Sequence, residues 1–265
     1  LAQEFRWRDA LGGGLLLGLA TLTRPVTLGL PVIIFTWAGL TFPDKWRAWL
    51  SATVVSLALI FTVLPWSIRN YIIHHRVIPV ATVDGVTFWG SNNPVVVDNP
   101  AKAGRWILYT QLPHANELVG LSELELRQRT YELGWEFLED NLEKIPRLEA
   151  YKLLRFWSLY PNQGTLEKAM SLLSYGILFP FMLIGAVWSL WRNRRESMLL
   201  WGVIALFVGG TLIFYGSTRM RLPIEPYLIV FAAFALDRLG INVGVLSTKV
   251  SWIRQHLIAV LNVHR

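Results

Sequence analysis

The chain has 265 residues, of which 53% are hydrophobic and only 16% charged, and its mean hydropathy is +0.40. A soluble globular chain carries about 25% charged residues, so this composition points to a membrane protein and leaves no large soluble core to explain. The absence of cysteine excludes a disulfide framework, a thiolate metal site and a cysteine nucleophile. The net charge of +7 sits in short clusters between apolar runs, not in the continuous basic stripe of a nucleic-acid-binding surface.

The chain begins at Leu1 and its first apolar run carries no signal-peptide pattern, as a fragment of a longer protein would. Six apolar segments follow, at residues 10–22, 26–42, 50–66, 170–191, 198–215 and 222–236, and about 20 such residues cross a bilayer. The first two are short. Arg24-Pro25 separates them, and because proline breaks a helix they read as a tight helical hairpin. Basic clusters at Arg6 and Arg8, Lys45 and Arg47, Arg192, Arg194 and Arg195, then Arg238 and Lys249, recur after every second span, which assigns them and both termini to the cytoplasm. The connections 23–25, 67–168 and 216–221 then share the opposite, periplasmic or lumenal, side. The expected organisation is three membrane helices in 1–66, an external domain in 67–168, three more helices in 169–240 and a cytoplasmic tail in 241–265.

The long connection holds 11 Lys and Arg against 12 Asp and Glu, so the positive excess lies outside it. Within it, residues 77–82 and 86–89 flank Asp84-Gly85, the turn chemistry of a short β-hairpin. Ser122 and Glu125 form a capping box ahead of Leu126, Thr130, Leu133 and Phe137 at helical spacing up to Asn141. Pro146 starts another helix, which carries Leu148, Tyr151, Leu154 and Trp157 and stops at Tyr160-Pro161. The external domain is therefore expected to be mainly helical. In the tail, Leu246, Val250, Ile253, Leu257 and Val260 share a face, as in an interfacial amphipathic helix.

The chemically informative residues cluster at the external ends of spans: Arg24, Arg69-Asn70-Tyr71, and Arg219 and Arg221 ahead of Glu225. A guanidinium holds phosphate bidentately with little hydration cost, so four arginines on one external surface suggest a phosphate at the outer leaflet. Snorkelling to headgroups, or pairing with Glu225 or a loop carboxylate, accounts equally for any single arginine. For Glu225 a structural ion pair with Arg219 or Arg221 is favoured over a catalytic base. Asn92 and Asn93, within Gly90-Ser91-Asn92-Asn93-Pro94, offer amides to sugar hydroxyls or form an ordinary turn. His74 and His75 point apart and His114 is isolated, so no metal site is expected. Gly12-Gly13-Gly14 reads as a helix-packing surface and not as a phosphate loop.

Four stretches, Gly18 to Pro25, Pro65 to Tyr71, Gly85 to Pro94 and Arg219 to Tyr227, occur in the order found in the polytopic sugar transferases. In these motifs the chain resembles protein O-mannosyltransferases and the bacterial aminoarabinose and lipopolysaccharide-core transferases. That resemblance implies the so-called GT-C architecture and an inverting transfer on the external side of the membrane. It implies a donor sugar on polyprenyl (undecaprenyl-type) or dolichyl phosphate, a lipid, glycan or protein acceptor, and no further cofactor. Arg24, Arg69, Arg219 and Arg221 would then bind the lipid phosphate, and Asn70, Tyr71, Asn92, Asn93 and Glu225 the sugar or acceptor. The family's catalytic carboxylate lies in the first external loop, so it is expected upstream of Leu1 and none is assigned here. A bacterial inner membrane with the large loop outside is the expected location. A transporter or channel component is the alternative, and a noncatalytic scaffold a third reading. The transporter fits less well because the middles of the spans are Leu, Ile, Val, Phe and Gly without ionisable groups.

Overall fold

A computed structural model describes residues 6–159, 164–192 and 194–240. Among them every regular element is a helix and none is a strand. The expected interfacial helix of the tail lies outside the described residues.

Helix α1, Trp7–Thr23, ends where Arg24 turns to extended backbone with φ −141°, and Pro25 opens a 3-10 turn that leads into α2, Leu30–Thr41. The Arg24-Pro25 break is thus where proline chemistry puts it. The Asp44 side chain accepts from the Arg47 backbone N–H and caps α3, Lys45–His74. This helix passes through Pro65 and runs two turns beyond the boundary at Trp66 expected from hydropathy. Those turns are held laterally: Trp66 Nε1 donates to the Val80 carbonyl, Ser67 Oγ to that of Pro79, and Asn70 Nδ2 to those of Ile78 and Val80. Thirty residues at 1.5 Å each make roughly 45 Å, more than the roughly 30 Å hydrocarbon thickness.

The second apolar group begins with α8, Thr165–Ser171, which continues through a π turn into α9, Ile177–Arg192; α10, Arg194–Ile213, follows. A short α11, Thr218–Arg221, and a 3-10 turn at Leu222–Ile224 then introduce α12, Glu225–Arg238. Two of these helices, Lys45–His74 and Thr165–Trp191, are long and apolar enough to cross a membrane.

Small residues set the helix contacts. A side chain at Gly14 or Gly18 of α1 would run into Val55 or Thr62 of α3, and one at Gly185 of α9 into the Phe231 carbonyl of α12. Of the glycine run, Gly14 makes the contact while Gly12 and Gly13 face open space. The main apolar cluster joins Leu30, Tyr175, Met182, Phe207, Leu228 and Phe231 from four helices.

Residues between α3 and α8 form a helical region with a separate core of Trp89, Val96, Val97, Ile107, Leu112, Leu118, Leu133 and Leu148. It comprises α4, Asp84–Ser91; α5, Pro94–Asp98; α6, Glu123–Asp140; and α7, Ile145–Phe156. The capping box forms as its spacing requires: Ser122 Oγ accepts from the Glu125 N–H while the Glu125 carboxylate accepts from the Ser122 N–H.

One expectation is corrected. No hairpin forms around Asp84-Gly85; Asp84 is the first residue of α4, and side chains of α3 bind the carbonyls of residues 78–80 in place of a partner strand. From this helix Phe88 packs onto both Tyr131 and Trp135 of α6, with ring centroids 5.2 Å apart in each pair. On α7 the buried stripe is Leu148, Lys152 and Phe156, whereas Leu154 is exposed.

The contacts sort the connections by end. Arg24 reaches Arg219 and Met220, and α7 reaches Leu212 and Arg221, so 23–25, the helical region and 216–221 meet at one end of the bundle. At the other end Thr41 Oγ1 donates to the Arg195 carbonyl, bringing the end of α2 to the start of α10.

Candidate functional site

A cleft of about 570 Å³ opens where the end of α1, the 79–87 segment, the end of α10 and the start of α11 converge. Its polar groups include Arg24, Arg219 and Asp84, and much of the remaining wall is apolar: Val26, Leu28, Val80, Val83, Phe207 and Phe214. The extended conformation of Arg24, forced by Pro25, turns its guanidinium across the gap, where Nη1 lies 3.5 Å from the Met220 sulfur and Nη2 donates to the Arg219 carbonyl at 3.4 Å. Arg219 is itself exposed. Among the described residues neither arginine pairs with a carboxylate, so both cations remain able to take an anionic ligand at the lip of an apolar cleft.

Asp84 stands on the facing wall with its carboxylate occupied. Arg127 of α6 binds it in a fork, Nε to Oδ1 and Nη2 to Oδ2, each at 2.6 Å. The pairing raises the Arg127 guanidinium above its ordinary value. Neighbouring Tyr131 is pushed up to about 12, first by burial and then by the charge and hydrogen bonding of Asp84. A side chain on Gly85 would collide with the Arg127 carbonyl and with Thr130, so glycine is what lets α4 approach α6 closely enough for the pair to form.

The other expected site residues fall elsewhere. Arg221 is 2% exposed and turned inward: Nε donates to Glu225 at 3.3 Å, and Nη1 to the carbonyls of Phe156 at 2.9 Å and Ser158 at 2.6 Å. Its guanidinium also lies over the Tyr175 ring at 3.9 Å. This arginine stitches α11 to α7 and does not open into the cleft, and Glu225 is its ion-pair partner, as the structural reading of that residue requires. Arg69 is exposed outside the cleft wall, donating to Asn70 Oδ1 and stacking over Trp66. Asn70 is buried and holds the 78–80 segment that walls the cleft, while Tyr71 is exposed away from it. Asn92 and Asn93 are fully enclosed: the Asn92 amide donates to Phe88 and Ile213 carbonyls, and Asn93 accepts from the Val96 N–H to start α5. Seven of the nine expected site residues thus lie outside the cleft wall, which leaves Arg24 and Arg219 as the pair it brings together.

Lys152 was not singled out by the sequence pattern. Its side chain is 0% exposed, and Nζ donates to Glu149 Oε1 at 2.8 Å, Asn92 Oδ1 at 2.9 Å and the Leu212 carbonyl at 2.6 Å. Burial pushes the ammonium below its ordinary value and Glu149 opposes that; burial likewise raises the Glu149 carboxyl, against the pull of Lys152. All three ammonium donors are used, so one buried cation ties α7, the end of α4 and the carbonyl end of α10 together beneath the cleft. The available signal was a lysine at i+4 between Leu148 and Phe156 on an otherwise apolar stripe.

Fold and site define an all-helical protein with long apolar helices and a cationic-lipped, apolar-walled cleft at the end that carries its helical region. No protein-family model, no curated protein and no solved structure matches the chain. Among the described residues no cluster of His, Asp and Glu is arranged to hold a metal ion.

Proposed function

We propose that the chain is part of a multi-pass membrane glycosyltransferase of GT-C type, taking its sugar from a polyprenyl- or dolichyl-phosphate carrier on the external side of a bacterial inner membrane. The observation that carries this reading is the cleft, in which the unpaired guanidinium groups of Arg24 and Arg219 stand at the edge of walls that match a lipid chain. A phosphate seated between them would be stabilised as negative charge develops on the departing lipid phosphate, while the anomeric carbon passes to an acceptor oxygen. Neither Asp84, forked by Arg127, nor Glu225, paired with Arg221, is free to take the acceptor's proton, so no base is assigned among the described residues.

Three observations support membrane placement. The apolar windows of Lys45–His74 and Thr165–Trp191 are only 33% and 22% buried, so most of their side chains need an apolar surrounding that a soluble protein would not supply. Trp7, Trp46 and Trp191, 56–80% exposed, fall near the basic clusters at the ends of α1, α3 and α9, where interfacial tryptophans belong. Asp, Glu, Lys, Arg and His are absent from 48–68, 197–213 and 226–236, so the apolar middles offer no charged pathway for transport.

Binding of undecaprenyl phosphate to the detergent-purified protein is the test. Arg24→Gln and Arg219→Gln should each weaken binding by about tenfold to a hundredfold, since one charged hydrogen bond is worth roughly 1.5–3 kcal/mol. The Lys variants should be intermediate, retaining charge without the planar fork, and Arg69→Gln should bind as the wild type does. Equal affinity in all variants would return the chain to the transporter or scaffold readings.

A further inference from the structure

Behind the cleft, on the far side of the Asp84–Arg127 pair, lies an open groove of about 740 Å³ along α6. Leu124, Gln128, Tyr131, Trp135 and Glu139 line it at helical spacing, and Arg76 closes the side toward α3. The opposite stripe of the same helix, Thr130, Leu133 and Gly134, is buried against α4 and the regional core. The groove is therefore the solvent face of a helix whose other face is fixed.

Trp135 is 54% exposed yet not loose. Its ring packs on Phe88, and Phe88 in turn fills the space above Gly134, where a side chain would collide with it. An indole held on one side by packing and open on the other is a preorganised stacking platform. Around it stand both kinds of polar partner: the α6 carboxylates, Glu139 foremost, accept, while Arg76 and the second amide proton of Gln128 donate, the first being held by Glu132 at 3.0 Å. The three carboxylates repel anionic headgroups, which argues against Trp135 serving as a membrane anchor. Their charge is partly met by Arg129, which bonds Glu132 at 3.4 Å and Glu136 at 3.2 Å, so the groove favours a neutral polyhydroxyl ligand over a strongly cationic one.

We propose that this groove is a carbohydrate subsite, in which a sugar ring stacks on Trp135 and exchanges hydrogen bonds with Gln128 and the α6 carboxylates. Resting on the transferase reading, it is the acceptor side of the same site. The Asp84–Arg127 fork forms a shared wall, since Asp84 faces the donor cleft and Arg127 faces the groove. A sugar held here sits next to the donor cleft without entering the apolar lipid channel.

Saturation-transfer NMR on the detergent-purified protein, with methyl α-mannoside, glucose and N-acetylglucosamine as probes, tests the subsite. At least one sugar should receive saturation, with affinity at least tenfold weaker in Trp135→Ala and largely restored in Trp135→Tyr. Glu139→Gln, at the solvent edge and without a packing role, should weaken binding several-fold, which separates ligand contact from loss of fold. No saturation of any probe, or equal saturation in Trp135→Ala, would overturn the proposal, as would quenching of Trp135 by brominated phosphatidylcholine. The donor reading is scored separately: Arg219→Gln should lose undecaprenyl phosphate and keep the sugar, whereas Trp135→Ala should do the reverse. Sugar binding in a protein that never binds lipid phosphate would refute the acceptor assignment and the transferase together.

Discussion

The apolar helices and the helical region between α3 and α8 solve the burial problem in opposite ways. In α3, Leu57, Ile60, Phe61 and Leu64 are exposed, and the helix is joined to α1 through small residues that let backbones approach. In the helical region, Leu148 and Val96 are 0% exposed around a core of their own, and the buried Lys152, Asn92 and Asn93 side chains are matched to partners. The first pattern belongs to helices whose surroundings are apolar; the second belongs to a domain that excludes water from its own interior. Apolar content alone therefore misleads: what distinguishes the two is the direction in which the apolar side chains face.

The sharpest break in that contrast is at Lys152. Lys152→Met leaves the Asn92 carbonyl oxygen and the Glu149 carboxylate without their donor, and should cost about 3–5 kcal/mol in thermal or denaturant unfolding. Leu148→Ala, on the same buried stripe and in the regional core, should lose about 2–5 kcal/mol through the cavity it opens. Ile60→Ala on the outer face of α3 should stay within about 0.5 kcal/mol in detergent, because that side chain contributes little to internal packing. A comparable loss at Ile60 and Leu148 would erase the distinction between the two regions.

Smaller effects sharpen the picture within the helical region. Gly85→Ala should cost roughly 1–3 kcal/mol by forcing α4 off α6, and weaker undecaprenyl phosphate binding in this variant would tie the Asp84–Arg127 wall to the cleft. Ser122→Ala should lower Tm by a few degrees. Ser122 holds the Glu125 carboxyl below its ordinary 4.5, so the folded value is the lower one. The contribution of the cap is complete above 4.5 and disappears as pH falls through the lowered value, a loss the Ser122→Ala variant should not show on acid titration.

Local rules made part of this structure legible. Proline at 25 and 146, the Ser122–Glu125 box and the α6 stripe each specify a helix boundary or face through neighbours within a turn or two, and all four appear. Asp84-Gly85 failed as a hairpin signal because its competitor is long-range: Phe88 against α6, and α3 side chains against 78–80. The arginine motifs located the right end of the molecule, yet only Arg24 and Arg219 reach the cleft, because Arg221 is drawn to the carbonyls of Phe156 and Ser158 at the end of α7, more than 60 residues away in the chain. Lys152 and the Asp84–Arg127 fork were invisible for the same reason, since spacing along one helix says nothing about a partner on another.

Membrane sidedness is the claim on which the cleft, the groove and the donor all depend, and single-cysteine labelling in sealed cells tests it without background because the chain has no cysteine. A membrane-impermeant maleimide should label Lys102→Cys in intact cells and Lys45→Cys only after permeabilisation. Labelling of Lys45→Cys but not Lys102→Cys in intact cells would turn the site toward the cytoplasm and contradict an external lipid-phosphate-dependent transfer.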